Sequence, residues 1–226
     1  MVKSSHPVQV KVKICGNTNA EDAKLSAHLG ADYLGFIFAE SKRKISVRTA
    51  AAIVDSLPEF RDFVGVFLNQ PKREVESIAS ELGIKFLQFH GDEPALYCRY
   101  FTDKGYHVIK TFRIKDAMSL KRIDEYNVYA FLLDAFSKEA FGGTGIPFDW
   151  DLVKDRPFIH DRLFLAGGLK VTNVRGAIEK VKPYAVDVAS GVEREPGKKD
   201  PVLLEEFIHR VKGGITQNAQ KGTLRP

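Results

Sequence analysis

The sequence predicts an α/β fold, a single-domain eight-fold β/α barrel of the (β/α)8 TIM type. Three observations predict it. Short apolar runs rich in β-branched and aromatic residues alternate with helical stretches along the chain, about eight of each. Most of these runs are continuous rather than alternating in apolar character, as expected of parallel strands covered on both faces. The length, 226 residues, lies slightly under the usual size of such a barrel.

Strands are expected at 8–14, 33–38, 63–68, 86–89, 107–111, 129–133, 163–166 and 185–189. The helix at 19–29 has an Asn or Thr cap before it and Gly30 after it. The helix at 47–57 ends before Pro58, and that at 71–82 begins with Pro71 in its first turn and stops at Gly83. Helices at 93–104 and 172–181 end at Gly105 and before Pro183. Asp200 caps a last helix at 201–212, with Pro201 at its first position and Gly213-Gly214 as its stop. Segments 117–126 and 149–154 read as weaker, shorter helices. Right-handed crossovers between consecutive parallel strands close eight such pairs into a barrel. An open doubly wound sheet is the alternative, weakened because no Gly-x-Gly-x-x-Gly follows the first strand. The barrel is expected over 9–212, between an N-terminal extension, 1–8, and a polar tail without periodicity, 213–226.

Composition narrows the function classes. With 44% hydrophobic and 28% charged residues there is no case for wholesale disorder. No apolar run approaches the roughly 20 residues that span a bilayer, and the first nine residues carry no apolar signal region. A cytoplasmic protein is expected, with no membrane partner. The net charge of +5 is spread among acidic residues, which suits small anions rather than nucleic acid. The expected partner is a small phosphorylated molecule; monomer and homodimer are both open. Two cysteines in a chain this long are not a disulfide scaffold. Cys98, inside a helical stretch, reads as a small buried hydrophobe.

Reactive groups of a β/α barrel lie at the C-terminal ends of its strands. Cys15 ends the first strand. It is either a small rim residue or a general base, and a base needs nearby positive charge or N–H groups to raise its thiolate fraction. Asp134 ends the sixth, after four apolar residues. It is either a cap or ion pair, or a general acid kept protonated by desolvation or a neighbouring charge. Gly167 and Gly168 follow strand seven, and Ser190 and Gly191 follow strand eight. Loops seven and eight are the common phosphate site of this fold, and glycine lets backbone N–H groups approach an anion. Arg43, in the loop after strand two, is either a solvated basic turn or a clamp on a carboxylate. His90 ends strand four as a substrate contact or a structural histidine. Asp187, on strand eight, reads as support behind the substrate. Gly142-Gly143-Thr144-Gly145 is either a lid or a plain flexible loop. No histidines and carboxylates have metal-ligand spacing, so no metal and no cofactor are expected.

These residues together resemble the phosphoribosylanthranilate isomerase family of tryptophan biosynthesis. The matching pieces, in family order across roughly residues 9 to 212, begin with Lys13-Ile14-Cys15-Gly16, Ser41-Lys42-Arg43 and Gln88-Phe89-His90-Gly91. Leu132-Leu133-Asp134-Ala135, Gly142-Gly143-Thr144-Gly145 and Phe148-Asp149-Trp150 follow. Ala166-Gly167-Gly168-Leu169, the run from Asp187 to Glu193, and Pro196-Gly197-Lys198-Lys199-Asp200 complete the set. Any one piece is weak; the ordered set is specific. The resemblance implies a β/α barrel and an Amadori rearrangement of an N-linked phosphoribosyl aminobenzoate to a 1-deoxyribulose phosphate. It implies Asp134 as the acid on the furanose oxygen, Cys15 as the base on C2, Arg43 on the aminobenzoate carboxylate, and loops seven and eight on the phosphate. The chain departs from the family pattern at Asn17, often apolar, and at Ile146-Pro147, often lysine and a small polar residue.

Two other readings compete. A metal-dependent sugar-phosphate epimerase would show histidines and carboxylates at several strand ends, and the indole-forming synthase of the same pathway would use lysine and glutamate. A non-catalytic barrel that binds a phosphorylated metabolite would have no reason to keep both Cys15 and Asp134.

Overall fold

A computed structural model describes residues 9–135, 149–154 and 160–213. The expected extension at 1–8, the Gly142–Gly145 loop and the tail from 214 onward lie outside the described residues. Eight parallel strands close into a barrel in chain order. They are β1 (Lys11–Ile14), β2 (Tyr33–Ile37), β3 (Phe63–Phe67), β4 (Phe86–Phe89), β5 (His107–Ile114), β6 (Ala130–Ala135), β7 (Leu163–Leu165) and β8 (Ala185–Val188). β8 returns to pair with β1, Lys13 opposite Asp187. Among the described residues the helices are α1 (Ala20–His28), α2 (Val47–Asp55), α3 (Lys72–Leu82), α4 (Ala95–Asp103), α5 (Asp151–Lys154), α6 (Val174–Val181) and α7 (Pro201–Lys212). None is long and apolar enough to cross a membrane.

Local chemistry starts and stops these elements. Asn19 accepts the Asp22 N–H at 2.8 Å and opens α1. Asp200 accepts the N–H groups of Val202 and Leu203 at 2.9 and 3.1 Å ahead of Pro201. Each such cap stabilises its helix by about 1 kcal/mol.

The period of two along each strand decides what the barrel contains. Tyr33, Val64, Phe86, Ile109, Leu132 and Phe164 form one buried cluster inside it. Their neighbours one residue along, such as Leu34, Leu87, Val108 and Leu163, belong to the layer between strands and helices. Rings plug the lower barrel: Tyr33 sits 5.3 Å from both Phe86 and Phe164, centre to centre. Truncating a buried ring here would cost about 3–5 kcal/mol. The same parity, carried upward, turns Gln88, Asp134, Ala166 and Asp187 inward. The interior is thus apolar below and polar above.

The structure differs from expectation in several places. The first strand, expected at 8–14, begins only at Lys11, and several helix ends shift by one or two residues. β5 runs three residues further, to Ile114. Segment 117–126 is two 3-10 turns, Ala117–Leu120 and Ile123–Glu125, the first set by a capping box of Asp116 and Ser119. Pro71 is the N-cap of α3 rather than a first-turn residue. After β8 a 3-10 turn, Ser190–Val192, leads into a small hairpin, β9 (Glu193–Glu195) with β10 (Lys198–Lys199). That hairpin has no apolar pattern to betray it.

Candidate active site

The upper barrel opens into a cup of about 860 Å³, counting the space open to solvent at its mouth. That size suits a small-molecule site. All nine residues singled out in the sequence line it: Cys15, Arg43, His90, Asp134, Gly167, Gly168, Asp187, Ser190 and Gly191.

Cys15 lies just past β1. Its N–H donates to the Val188 carbonyl at 2.8 Å, and its own carbonyl accepts from Lys199 Nζ at 2.6 Å. The thiol is nearly buried. Burial pushes it above the ordinary thiol range and Asp187 pushes the same way, while Lys13 and Lys199 pull it back. The resting site therefore favours the thiol.

Asp134 comes from β6, three steps round the eight-strand ring from β1. The two groups thus enter the cup from opposing walls. Asp134 Oδ2 lies 3.4 Å from His90 Nε2. The contact falls short of hydrogen-bond alignment, so that nitrogen has no hydrogen-bond partner among the described residues. His90 Nδ1 in turn lies 3.1 Å from the Gln88 amide, which also reaches Thr111 Oγ1 at 3.3 Å. Gln88 is fully buried and fixes the imidazole from behind.

Arg43 reaches the cup from the loop after β2. Its Nε sits 2.9 Å from both oxygens of Glu193, and its Nη2 2.6 Å from one of them. Lys199 Nζ binds the same carboxylate at 2.9 Å. Two cations overcome the burial that would raise the Glu193 carboxyl and hold it below the usual range. The β9–β10 hairpin thereby ties the Cys15 carbonyl to the Arg43 guanidinium through Lys199 and Glu193.

Loops seven and eight meet beside this cluster, since β8 pairs with β1 and the turn after it runs directly into Glu193. Gly167 and Gly168 take φ of +81° and +70°, conformations that favour glycine. A side-chain carbon on Gly191 would lie 1.9 Å from the Leu169 carbonyl, so the two loops touch backbone to backbone. Asn173 holds the Gly168 carbonyl at 3.0 Å.

A family model described as N-(5'-phosphoribosyl)anthranilate (PRA) isomerase matches residues 12–210. The chain belongs to this family. An N-(5'-phosphoribosyl)anthranilate isomerase of Geobacter sulfurreducens is 48% identical over 205 residues, covering 90% of this chain and 99% of that protein. The crystal structure of the Thermotoga maritima phosphoribosyl anthranilate isomerase superposes with a TM-score of 0.83 at 42% identity, over 90% of this chain and 99% of that one. A structure of the family's enzyme in complex with reduced 1-(o-carboxyphenylamino)-1-deoxyribulose 5-phosphate gives a TM-score of 0.79 at 41% identity, over the same shares.

Sequence reasoning gave no role to Lys13, Gln88, Glu193 or Lys199. Lys13 Nζ donates to Asp187 Oδ1 at 2.7 Å, and the other three are described above. Asn17, which departs from the family pattern, is buried and donates to the Ile14 and Gly35 carbonyls at 2.8 and 3.3 Å. The available signal was modest: each lies within a piece of the family pattern, or one residue past it.

Proposed function

We propose that the chain isomerises N-(5'-phosphoribosyl)anthranilate to 1-(2-carboxyphenylamino)-1-deoxyribulose 5-phosphate in tryptophan biosynthesis, with Cys15 as general base and Asp134 as general acid. The carrying observation is that these two groups enter one cup from opposing walls. Membership of the family supports the reaction, and the cup's chemistry supports the roles.

Asp134 gives its proton to the furanose oxygen. The C1–O bond breaks and the aniline nitrogen's lone pair forms a cationic Schiff base at C1. The Cys15 thiolate then removes the C2 proton, and the electron pair flows into the iminium to give an enolamine. A proton gained at C1 and one lost from the 2-hydroxyl yield the ketone, returning both groups to their starting forms. The iminium is its own electron sink, so the reaction asks only for acid and base. Arg43 holds the aminobenzoate carboxylate. Loops seven and eight, through Gly167, Gly168, Ser190 and Gly191, take the phosphate, and His90 and Asp187 flank the ribose.

Steady-state turnover of Cys15→Ser and Asp134→Asn tests this. Each is expected to lose about 10³-fold or more in kcat, the upper part of the range for one acid/base group, while still binding the reduced product analogue. Turnover within a few-fold of wild type in either variant removes that residue from the mechanism.

A further inference from the structure

Lys13 is completely buried and lies beneath the cup without lining it. It precedes Cys15 by two residues, which puts both on the inward face of the first strand. Across the β1–β8 seam it faces Asp187 in register, and its ammonium donates to that carboxylate at 2.7 Å. A lysine held in a barrel interior is costly unless its charge is paired. Asp187 supplies that pair. The mechanism above uses neither the lysine nor its charge.

Among the described residues the groups around the sulfur are few. Lys13 comes from β1 and Asp187 from β8. Lys199 comes from β10 and binds the Cys15 carbonyl and Glu193. Arg43 comes from the loop after β2 and is engaged by Glu193. On β2 the position against the sulfur is Gly35, which carries no charge. Burial is the largest influence on the thiol and disfavours thiolate; Lys13 is the largest influence opposing it, and Asp187 works against Lys13. The Lys13 ammonium is itself held in its charged form by Asp187 and Cys15 against the desolvation that disfavours it.

We propose that Lys13 is a positioning residue for the base: its buried ammonium, anchored by Asp187, keeps positive charge against the Cys15 sulfur and supports the thiolate that removes the C2 proton. This rests on Cys15 being the base. The charge arrangement makes two predictions of opposite sign. Removing Lys13 takes away the cation and disfavours thiolate. Removing the charge of Asp187 takes away an anion, frees Lys13 for the sulfur and favours thiolate. A residue that merely fills the barrel would not produce a pair of opposite shifts.

The test is the pH dependence of Cys15 alkylation by iodoacetamide, followed by peptide mass so that Cys98 is counted separately. It is measured in wild type, Lys13→Met and Asp187→Asn. Lys13→Met is expected to raise the midpoint by about one pH unit or more, which is about a tenfold loss of thiolate at neutral pH. Its kcat/KM at neutral pH is expected to fall by a similar factor and to recover as pH rises. Asp187→Asn is expected to lower the alkylation midpoint. Where Lys13→Met does not fold, Asp187→Asn is compared with Lys13→Met/Asp187→Asn, which removes both charges together; the double variant is expected to have the higher midpoint. An unchanged midpoint on removing Lys13, in either background, overturns the proposal. Alkylation reads the coupling of Lys13 to Cys15 directly, whereas Cys15→Ser turnover reads the role of Cys15 itself, so the two failures are distinct.

Discussion

The Cys15 sulfur occupies space that only a glycine at position 35 leaves open. A side-chain carbon on Gly35 would lie 2.8 Å from Sγ and 3.2 Å from the Cys15 Cα. Gly35 sits in β2, next to β1, and both its neighbours, Leu34 and Phe36, are fully buried. The strand thus gives up a side chain in mid-run to seat the thiol.

Gly35→Ala is therefore expected to displace the sulfur rather than unfold the barrel. A shift of the order of 1 Å in a reacting group costs about 10²-fold in rate. Turnover and thermal unfolding of the variant check this together. A kcat close to wild type would mean that the thiol position does not matter to the reaction.

Arg43 tests recognition at the other end of the substrate. Glu193 engages its Nε and Nη2 and fixes the guanidinium plane. Its Nη1 edge is not committed to that carboxylate. Arg43→Ala is expected to weaken binding of 2-aminobenzoate-bearing ligands by about 10–100-fold, the scale of a charge-assisted hydrogen bond. Inorganic phosphate should bind nearly as before. Calorimetric titration of both ligands distinguishes the outcomes, and equal losses would point to a general electrostatic effect instead.

Stability carries a separate prediction at the bottom of the barrel. Asp32 accepts the Val12 N–H at 2.8 Å and Lys11 Nζ at 2.8 Å, and also binds Lys212 at the end of α7. Burial works to raise this carboxyl. The bonds from Lys11, Lys212 and Val12 outweigh it and hold the group below its ordinary value. A carboxyl lowered in the folded state stabilises fully above its unfolded pKa and loses that contribution as pH falls through its folded pKa. Asp32→Asn is expected to cost about 1–2 kcal/mol at neutral pH, since its lysine partners are partly exposed and screened. The gap to wild type should shrink below about pH 4. Urea unfolding at neutral and acid pH measures it; a gap that stays constant contradicts the assignment.

Much of the barrel was legible because buried parallel strands read as unbroken apolar runs. Phe86–Phe89 matches expectation to the residue, as does Pro201–Lys212, where Asp200, Pro201 and Gly213 mark both ends. The cup's residues were legible for a related reason: a lone thiol or carboxylate stands out at the end of an apolar run. What was missed is what only tertiary contact reveals. Val10-Lys11-Val12-Lys13 alternates as a half-exposed strand would, yet Lys13 is buried by a carboxylate 174 residues away. Glu193 and Lys199 sit in a charged segment that looks solvated until Arg43 and Cys15 arrive beside it. Gly35 reads as a weak point in β2 until the Cys15 sulfur is placed against it.

The central claim is that acid and base address one ribose from opposing sides, and a crystal structure with the reduced product analogue bound tests it most directly. The account predicts the Cys15 sulfur within about 3.5 Å of C2, the distance of a near-attack arrangement. It also predicts the Asp134 carboxyl at the former ring oxygen from the opposite wall, with the phosphate at Gly168 and Gly191. A bound analogue with both groups on the same side of the sugar, or with either turned away from it, would contradict the account.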